Sequence, residues 1–191
     1  AEQTLPAFLR DLAAGCPQPV YVADGFPDIA QTPVPDWQLL NFRHYATMAV
    51  QYSRGCPFDC EFCDIIVMNG RVPRTKTPAQ VLRELDALYA AGCRGALFFV
   101  DDNFIGNKAR VKELLPAIIR WQKARDYPFR LFTEASLNLA DDPELMRLMS
   151  VANFFRVFLG IETPCADSLR ECGKMHNIGR DLGESIRVIQ Q

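Results

Sequence analysis

The sequence predicts an α/β protein, a partial (truncated) parallel β/α barrel of about four strand–helix units behind a Pro-rich N-terminal connector. Three observations carry that expectation. From Met48 onward, short aromatic and branched runs alternate with amphipathic helical stretches, a pattern that implies a parallel sheet with right-handed crossovers. Six of the 13 prolines fall before residue 40, which separates residues 1–47 from residues 48–191. The last helical pattern, Ile178, Leu182, Ile186 and Ile189, runs to Gln190-Gln191 with no Gly or Pro to close it. A complete barrel needs about eight units, so the chain is expected to be a fragment of something longer.

The elements follow in order. Leu5, Phe8, Leu9 and Leu12 suggest a short helix stopped at Gly15, and Val20-Tyr21-Val22 a strand. Residues 24–45 read as an extended connector, because proline disfavours helix and sheet interiors. Strands are expected at 48–52, 96–100, 129–133 and 154–161. Thr77-Pro78-Ala79-Gln80 is a capping box that opens the first core helix, and Gly92 ends it. Asn107 opens a second, in which Pro116 should remove a hydrogen bond and produce a kink. Asp142-Pro143 opens a third, and Thr163-Pro164 a fourth that breaks at Gly173. No Gly-x-Gly-x-x-Gly follows a strand, which favours the barrel over a dinucleotide-binding sheet.

Composition narrows the function classes. A hydrophobic fraction of 49% supports a real core, and a net charge of −2 provides no basic field for nucleic acid. No unbroken run of roughly 18 apolar residues is present, so no membrane span is expected. The N-terminus lacks the charged and apolar regions of a secretory signal. Seven cysteines, three of them crowded together, do not resemble a secreted disulfide framework. A reducing, cytoplasmic location is expected.

Cys56-Pro57-Phe58-Asp59-Cys60-Glu61-Phe62-Cys63 places three thiols in one loop, spaced C-x3-C-x2-C. A structural zinc module would need a fourth ligand, and His44 and Cys93 lie in unrelated segments. A disulfide leaves one thiol over. A 4Fe–4S cube fits the spacing best: three thiolates hold three irons and the fourth iron stays open to substrate or cofactor. An iron–sulfur electron carrier, with all four irons ligated, is the other reading of the same spacing. The loop follows the first strand and so lies at the carboxyl end of the sheet, where such folds keep their active sites. Asp101 and Asp102 after the second strand, Glu134 after the third and Glu162 after the fourth form an acidic rim. That rim suits a cationic ligand such as S-adenosylmethionine, although Asp102 and Glu162 could instead be helix caps.

The segment Tyr52-Ser53-Arg54-Gly55-Cys56 through Cys63 resembles the signature of the radical S-adenosylmethionine superfamily. Phe98-Phe99-Val100-Asp101-Asp102-Asn103-Phe104, Thr133-Glu134-Ala135-Ser136 and Gly160-Ile161-Glu162-Thr163-Pro164 look like its hopanoid-methylase-like subgroup, which carries an N-terminal cobalamin-binding domain. The resemblance implies that Cys56, Cys60 and Cys63 hold a 4Fe–4S cluster whose open iron chelates S-adenosylmethionine. An external electron donor such as flavodoxin or ferredoxin would then supply the electron that yields methionine and a 5′-deoxyadenosyl radical. By position, Phe62 would flank the adenine and the backbone around Asp101 and Asp102 would meet the methionine ammonium. Glu134 and Glu162 would contact the methionine or ribose groups, and Lys174 the carboxylate. The full-length protein would be a methyltransferase or related radical enzyme acting on a lipid or another small molecule. Cobalamin would belong to that full-length protein only, because the Asp-x-His-x-x-Gly motif is absent and residues 1–47 look like the tail of its domain.

Blander readings cover the rest. Residues 70–76 look like a solvated basic loop, His176 like a surface residue, and Cys16, Cys93, Cys165 and Cys172 like structural thiols.

Overall fold

A computed structural model describes residues 2–191. Helix α1 (Thr4–Ala13) ends ahead of Gly15, which adopts φ +75° as the expected stop. Val20-Tyr21-Val22, however, is not a strand, and neither sheet pairs with it. Val20 and Val22 stay exposed, while Tyr21 packs edge-on against Phe8 at 5.7 Å and donates its hydroxyl hydrogen to Asp11 at 2.7 Å. An alternating run without a neighbouring strand has no ladder to join. The connector also departs from uniform extension. Single 3-10 turns form at Ile29–Gln31, Trp37–Leu39 and Phe42–His44, opened by the side chains of Asp28, Asp36 and Asn41. Each accepts from the amide two residues on, the local bond by which Asp and Asn initiate turns.

Beyond the connector the expected alternation forms. It comprises β1 (Met48–Val50), β2 (Ser53–Arg54), α2 (Ile65–Asn69), β3 (Arg74–Thr75), α3 (Pro78–Ala90), β4 (Gly95–Phe99) and α4 (Lys108–Lys123). It continues with β5 (Phe129–Ala135), α5 (Pro143–Val151), β6 (Phe154–Leu159), α6 (Ala166–Glu171) and α7 (Leu182–Gln190). Strands β1, β4, β5 and β6 lie side by side in that order, all parallel, which gives the α/β partial barrel the pattern predicted. The capping box at Thr77 and Gln80 is present on both sides. Helix α4 starts on the Asn107 cap and runs through Pro116 without ending there. Helix α6 starts at Ala166, and Gly173 breaks the segment with φ +70°. Helix α7 starts later than its apolar spacing suggests. Asp181 accepts from the Glu184 amide at 2.9 Å and fixes the start there, so Ile178 lies outside it.

The core lies between the sheet and α3, α4 and α5. Along β5, Phe129, Leu131, Thr133 and Ala135 are buried on one face, and Trp121 of α4 stacks on Phe129 at 5.6 Å. The opposite face carries Phe98 and Phe132, stacked at 4.8 Å, and ends in Glu134. Strand β6 forms one edge of the sheet and has no buried residue; Phe158 on it is 69% exposed.

The basic loop is only partly solvated: Arg71 and Val72 are exposed, but its second half is not. Strand β3 pairs antiparallel with β2 and draws residues 74–76 inward. Arg74 donates to the carbonyls of Pro27 and Asn69, and Lys76 is buried in an ion pair with Glu84 of α3. The two-residue pairing of β2 with β3 has no apolar periodicity of its own by which it could be foreseen.

Candidate metal and cofactor site

The cysteine loop is fixed at its entry by the two carboxylates that follow β4. Registry places Val50 beside Phe99, so the residues after each strand meet. The buried carboxylate of Asp101 accepts hydrogen bonds from the Tyr52 amide at 3.1 Å, from the Ser53 amide, and from the Ser53 hydroxyl at 2.5 Å. Burial pushes its pKa up to about 7 against the pull of those donors. Asp102 accepts from the Gly55 amide at 3.0 Å and from the Asn69 side chain at 3.3 Å. Gly55 has φ +102°, and a Cβ there would stand 2.7 Å from the Gly70 carbonyl oxygen. The position therefore demands glycine.

At the carboxyl ends of the strands lies a cavity of about 220 Å³. Cys56, Cys60, Cys63 and Phe62 face it from the loop, Asp102 from the end of β4, Glu134 from the end of β5, and Glu162 and Lys174 from beyond β6. Of the nine residues expected at the site, Asp101 alone is not among those lining the cavity; its side chain is held by Tyr52 and Ser53. Neither Asp102 nor Glu162 is a helix cap, since Asn107 and Cys165 occupy those positions.

One pair of opposite charges meets inside the cavity. Lys174, nearly buried, donates to Glu162 at 2.7 Å, and its Nζ stands 5.6 Å from the centre of the Phe62 ring. Burial pushes the thiols of Cys56 and Cys60 up; Lys174 opposes this at Cys60, and a hydrogen bond from the backbone of Phe58 opposes it at Cys56. Burial, reinforced by the Asp102 charge, also raises the Glu134 carboxyl.

Several residues enter the site that the sequence reading left elsewhere. His176 is not a surface residue. Its ring stacks on Phe58 at 3.5 Å and lines the cavity, where burial and then the Lys174 and Arg180 charges hold its pKa down to about 4. Asn103 donates to the Ser136 hydroxyl at 3.2 Å, while its own Oδ1 is buried without a partner. Both residues line the cavity, and their places directly after β4 and β5 were the available signal. Cys172 lies close enough to Cys60 to affect it electrostatically, but its thiol turns back to the Leu169 carbonyl at 3.6 Å.

Among the described residues no three His, Cys, Asp or Glu side chains converge as a single-ion site requires. A cube makes a different demand, one thiolate for each of three iron corners. Three free thiols on one loop at a cavity mouth fit that demand, and the unpartnered Asn103 Oδ1 offers an acceptor to an amine beside them.

Comparison with known proteins follows the same line. The family model of the radical SAM superfamily matches residues 50–190. The uncharacterized methyltransferase sll1242 of Synechocystis sp. is 54% identical over 98% of this chain and 35% of its own length. The hopanoid C-2 methylase of Rhodopseudomonas palustris is 40% identical over 98% of this chain and 36% of its own length. The chain thus spans about a third of these relatives. Among solved structures, the methyltransferase TsrM from Kitasatospora setae, with cobalamin and a [4Fe-4S] cluster bound, superposes with a TM-score of 0.65. That match has 21% identity and covers 77% of this chain and 28% of TsrM. The cobalamin-dependent radical enzyme OxsB, with aqua-cobalamin and S-adenosylmethionine bound, gives 0.60 at 19% identity, over 75% of this chain and 22% of OxsB. At these identities the structural likeness speaks for the fold.

Proposed function

The chain belongs to the radical SAM superfamily, and from that premise we propose that Cys56, Cys60 and Cys63 hold a 4Fe–4S cluster that binds S-adenosylmethionine. When bound, the cluster and cofactor supply one-electron cleavage of the sulfonium bond. The observation that carries the reading is a single cavity holding three thiols of one loop, three carboxylates and an ammonium. Glu162 and Lys174 are complementary to the ammonium and carboxylate of a methionine group, and each at present neutralises the other. Asn103 Oδ1 accepts from an amine, and Phe62 offers a ring face to the adenine. The loop residues keep the thiols at the mouth while Asp101 and Asp102 hold the loop to the sheet.

Residues 1–47 are proposed as the tail of a cobalamin-binding domain with its connector, and residues 48–191 as the first part of the barrel. The relatives support methyl transfer in the full-length protein, and the hopanoid C-2 methylase supports a lipid substrate. Cobalamin, which the TsrM and OxsB structures hold, is proposed as the second cofactor of that full-length protein. Among the described residues no helix is long and apolar enough to cross a membrane.

Anaerobic reconstitution tests the site. The chain should take up about four irons and show absorbance that dithionite bleaches. Cys56→Ala, Cys60→Ala and Cys63→Ala should each abolish uptake, while Cys93→Ala and Cys172→Ala retain it. Loss of iron on Cys172→Ala would instead mark a fully ligated cluster, as in an electron carrier.

A further inference from the structure

Besides the approach of Lys174 to the Phe62 ring, three contacts join residues 172–177 to the cysteine loop. The Glu61 amide donates to the Cys172 carbonyl at 2.9 Å. Gly173 lies so close that a Cβ there would stand 2.5 Å from the Asp59 carbonyl oxygen. The His176 imidazole stacks on Phe58, the planes 12° apart. These contacts fall on Phe58, Asp59 and Glu61, the residues between the thiols. Otherwise the middle of the loop has an exposed ion pair from Arg71 to Asp59 at 3.2 Å, a type of contact that stabilises little.

The same segment is anchored to the sheet. Asn177, buried, donates to the Gly160 and Ile161 carbonyls at 2.9 and 3.3 Å, just past β6. Arg180 donates to the His176 carbonyl at 2.8 Å and to both oxygens of Asp141, at 2.8 and 2.6 Å, in the turn after β5. Asp101 and Asp102 hold the loop's entry to β4, so residues 172–177 tie its middle to β5 and β6.

We infer that residues 172–177 are a brace that positions the cysteine loop, with His176 acting through Phe58 and Gly173 through Asp59. The purpose of the brace rests on the cluster reading; its geometry does not. A stacked ring pair of this kind adds modest but measurable stability, and opening of the loop reports it directly.

Amide hydrogen exchange of residues 56–63 in the iron-free chain is the primary test. His176→Ala should speed exchange about threefold to tenfold, as expected for losing one stacked pair. His176→Phe, which keeps a stacking ring, should restore the wild-type rate. Gly173→Ala should speed it too, with the far-ultraviolet circular dichroism of His176→Ala unchanged. After reconstitution, His176→Ala should lose iron to a chelator faster than wild type and His176→Phe should not. Unchanged exchange in His176→Ala overturns the brace whatever the iron content, as does a His176→Phe variant as fast as His176→Ala. A wild type that takes up no iron yet shows the expected exchange pattern overturns the cluster reading and leaves the brace standing.

Discussion

Asp101 and Ser53 are 48 positions apart and share one hydrogen-bonded unit, the carboxylate of one receiving both the amide and the hydroxyl of the other. The unit fastens the end of β4 to the entry of the cysteine loop. Because the folded pKa of Asp101 stands near 7, above its ordinary 3.8, the folded state binds the proton more tightly than the unfolded state. Its contribution to stability is present below the unfolded value and is lost as pH rises through about 7. Asp101→Asn should remove that dependence, flattening a slope of up to about 1.4 kcal/mol per pH unit in urea unfolding between the two values. A variant whose slope equals that of wild type would show that Asp101 is ionised throughout.

Lys76 and Glu84 form a buried pair, and breaking one partner of such a pair strands the other charge. Lys76→Met should destabilise the chain by about 3–5 kcal/mol at neutral pH, measured by chemical denaturation. The deficit should shrink as pH falls and Glu84 takes up a proton. Replacing both residues, with Lys76→Met and Glu84→Leu, should recover most of the loss.

Glu162 and Glu134 face the cavity in different electrostatic settings, the first paired with Lys174 and the second near the like charge of Asp102. With the cluster in place, Glu162→Gln and Glu134→Gln should each weaken S-adenosylmethionine binding by about 1–3 kcal/mol, the range for a hydrogen bond to a charged group. Changes in the electron resonance of the reduced cluster on titration would report it. Equal affinity in both variants would remove the two carboxylates from the cofactor site.

Strand β6 presents an apolar sheet edge with Phe158 exposed. Edges of this kind template pairing with other chains. The isolated chain should therefore self-associate in sedimentation, and Phe158→Lys should shift it toward monomer. A wild-type chain that is already monodisperse at high concentration would contradict this.

Parts of the chain could be read directly because their causes are local. The capping box at Thr77 and Gln80 and the Asn107 and Asp142 caps are decided within a few residues, and all three form as expected. The cysteine spacing likewise needs no tertiary knowledge to suggest three ligands on one loop. Val20-Tyr21-Val22 failed because a strand exists only with a partner, and the solvated reading failed for residues 74–76 because the pairing of β2 with β3 drew them inward, while Arg71 and Val72 stay exposed.

The sequence by itself determined the alternation of the four parallel strands with their helices, the three-thiol loop beyond β1, and an acidic residue at or beyond the carboxyl end of β4, β5 and β6. Tertiary structure decided where those side chains point. It turned Asp101 into a fastener, gave Glu162 to Lys174, and carried His176 back onto Phe58. The reason is distance along the chain: helical and capping preferences act between neighbours, whereas these contacts join residues brought together by the parallel strands and by the anchored segment beyond β6.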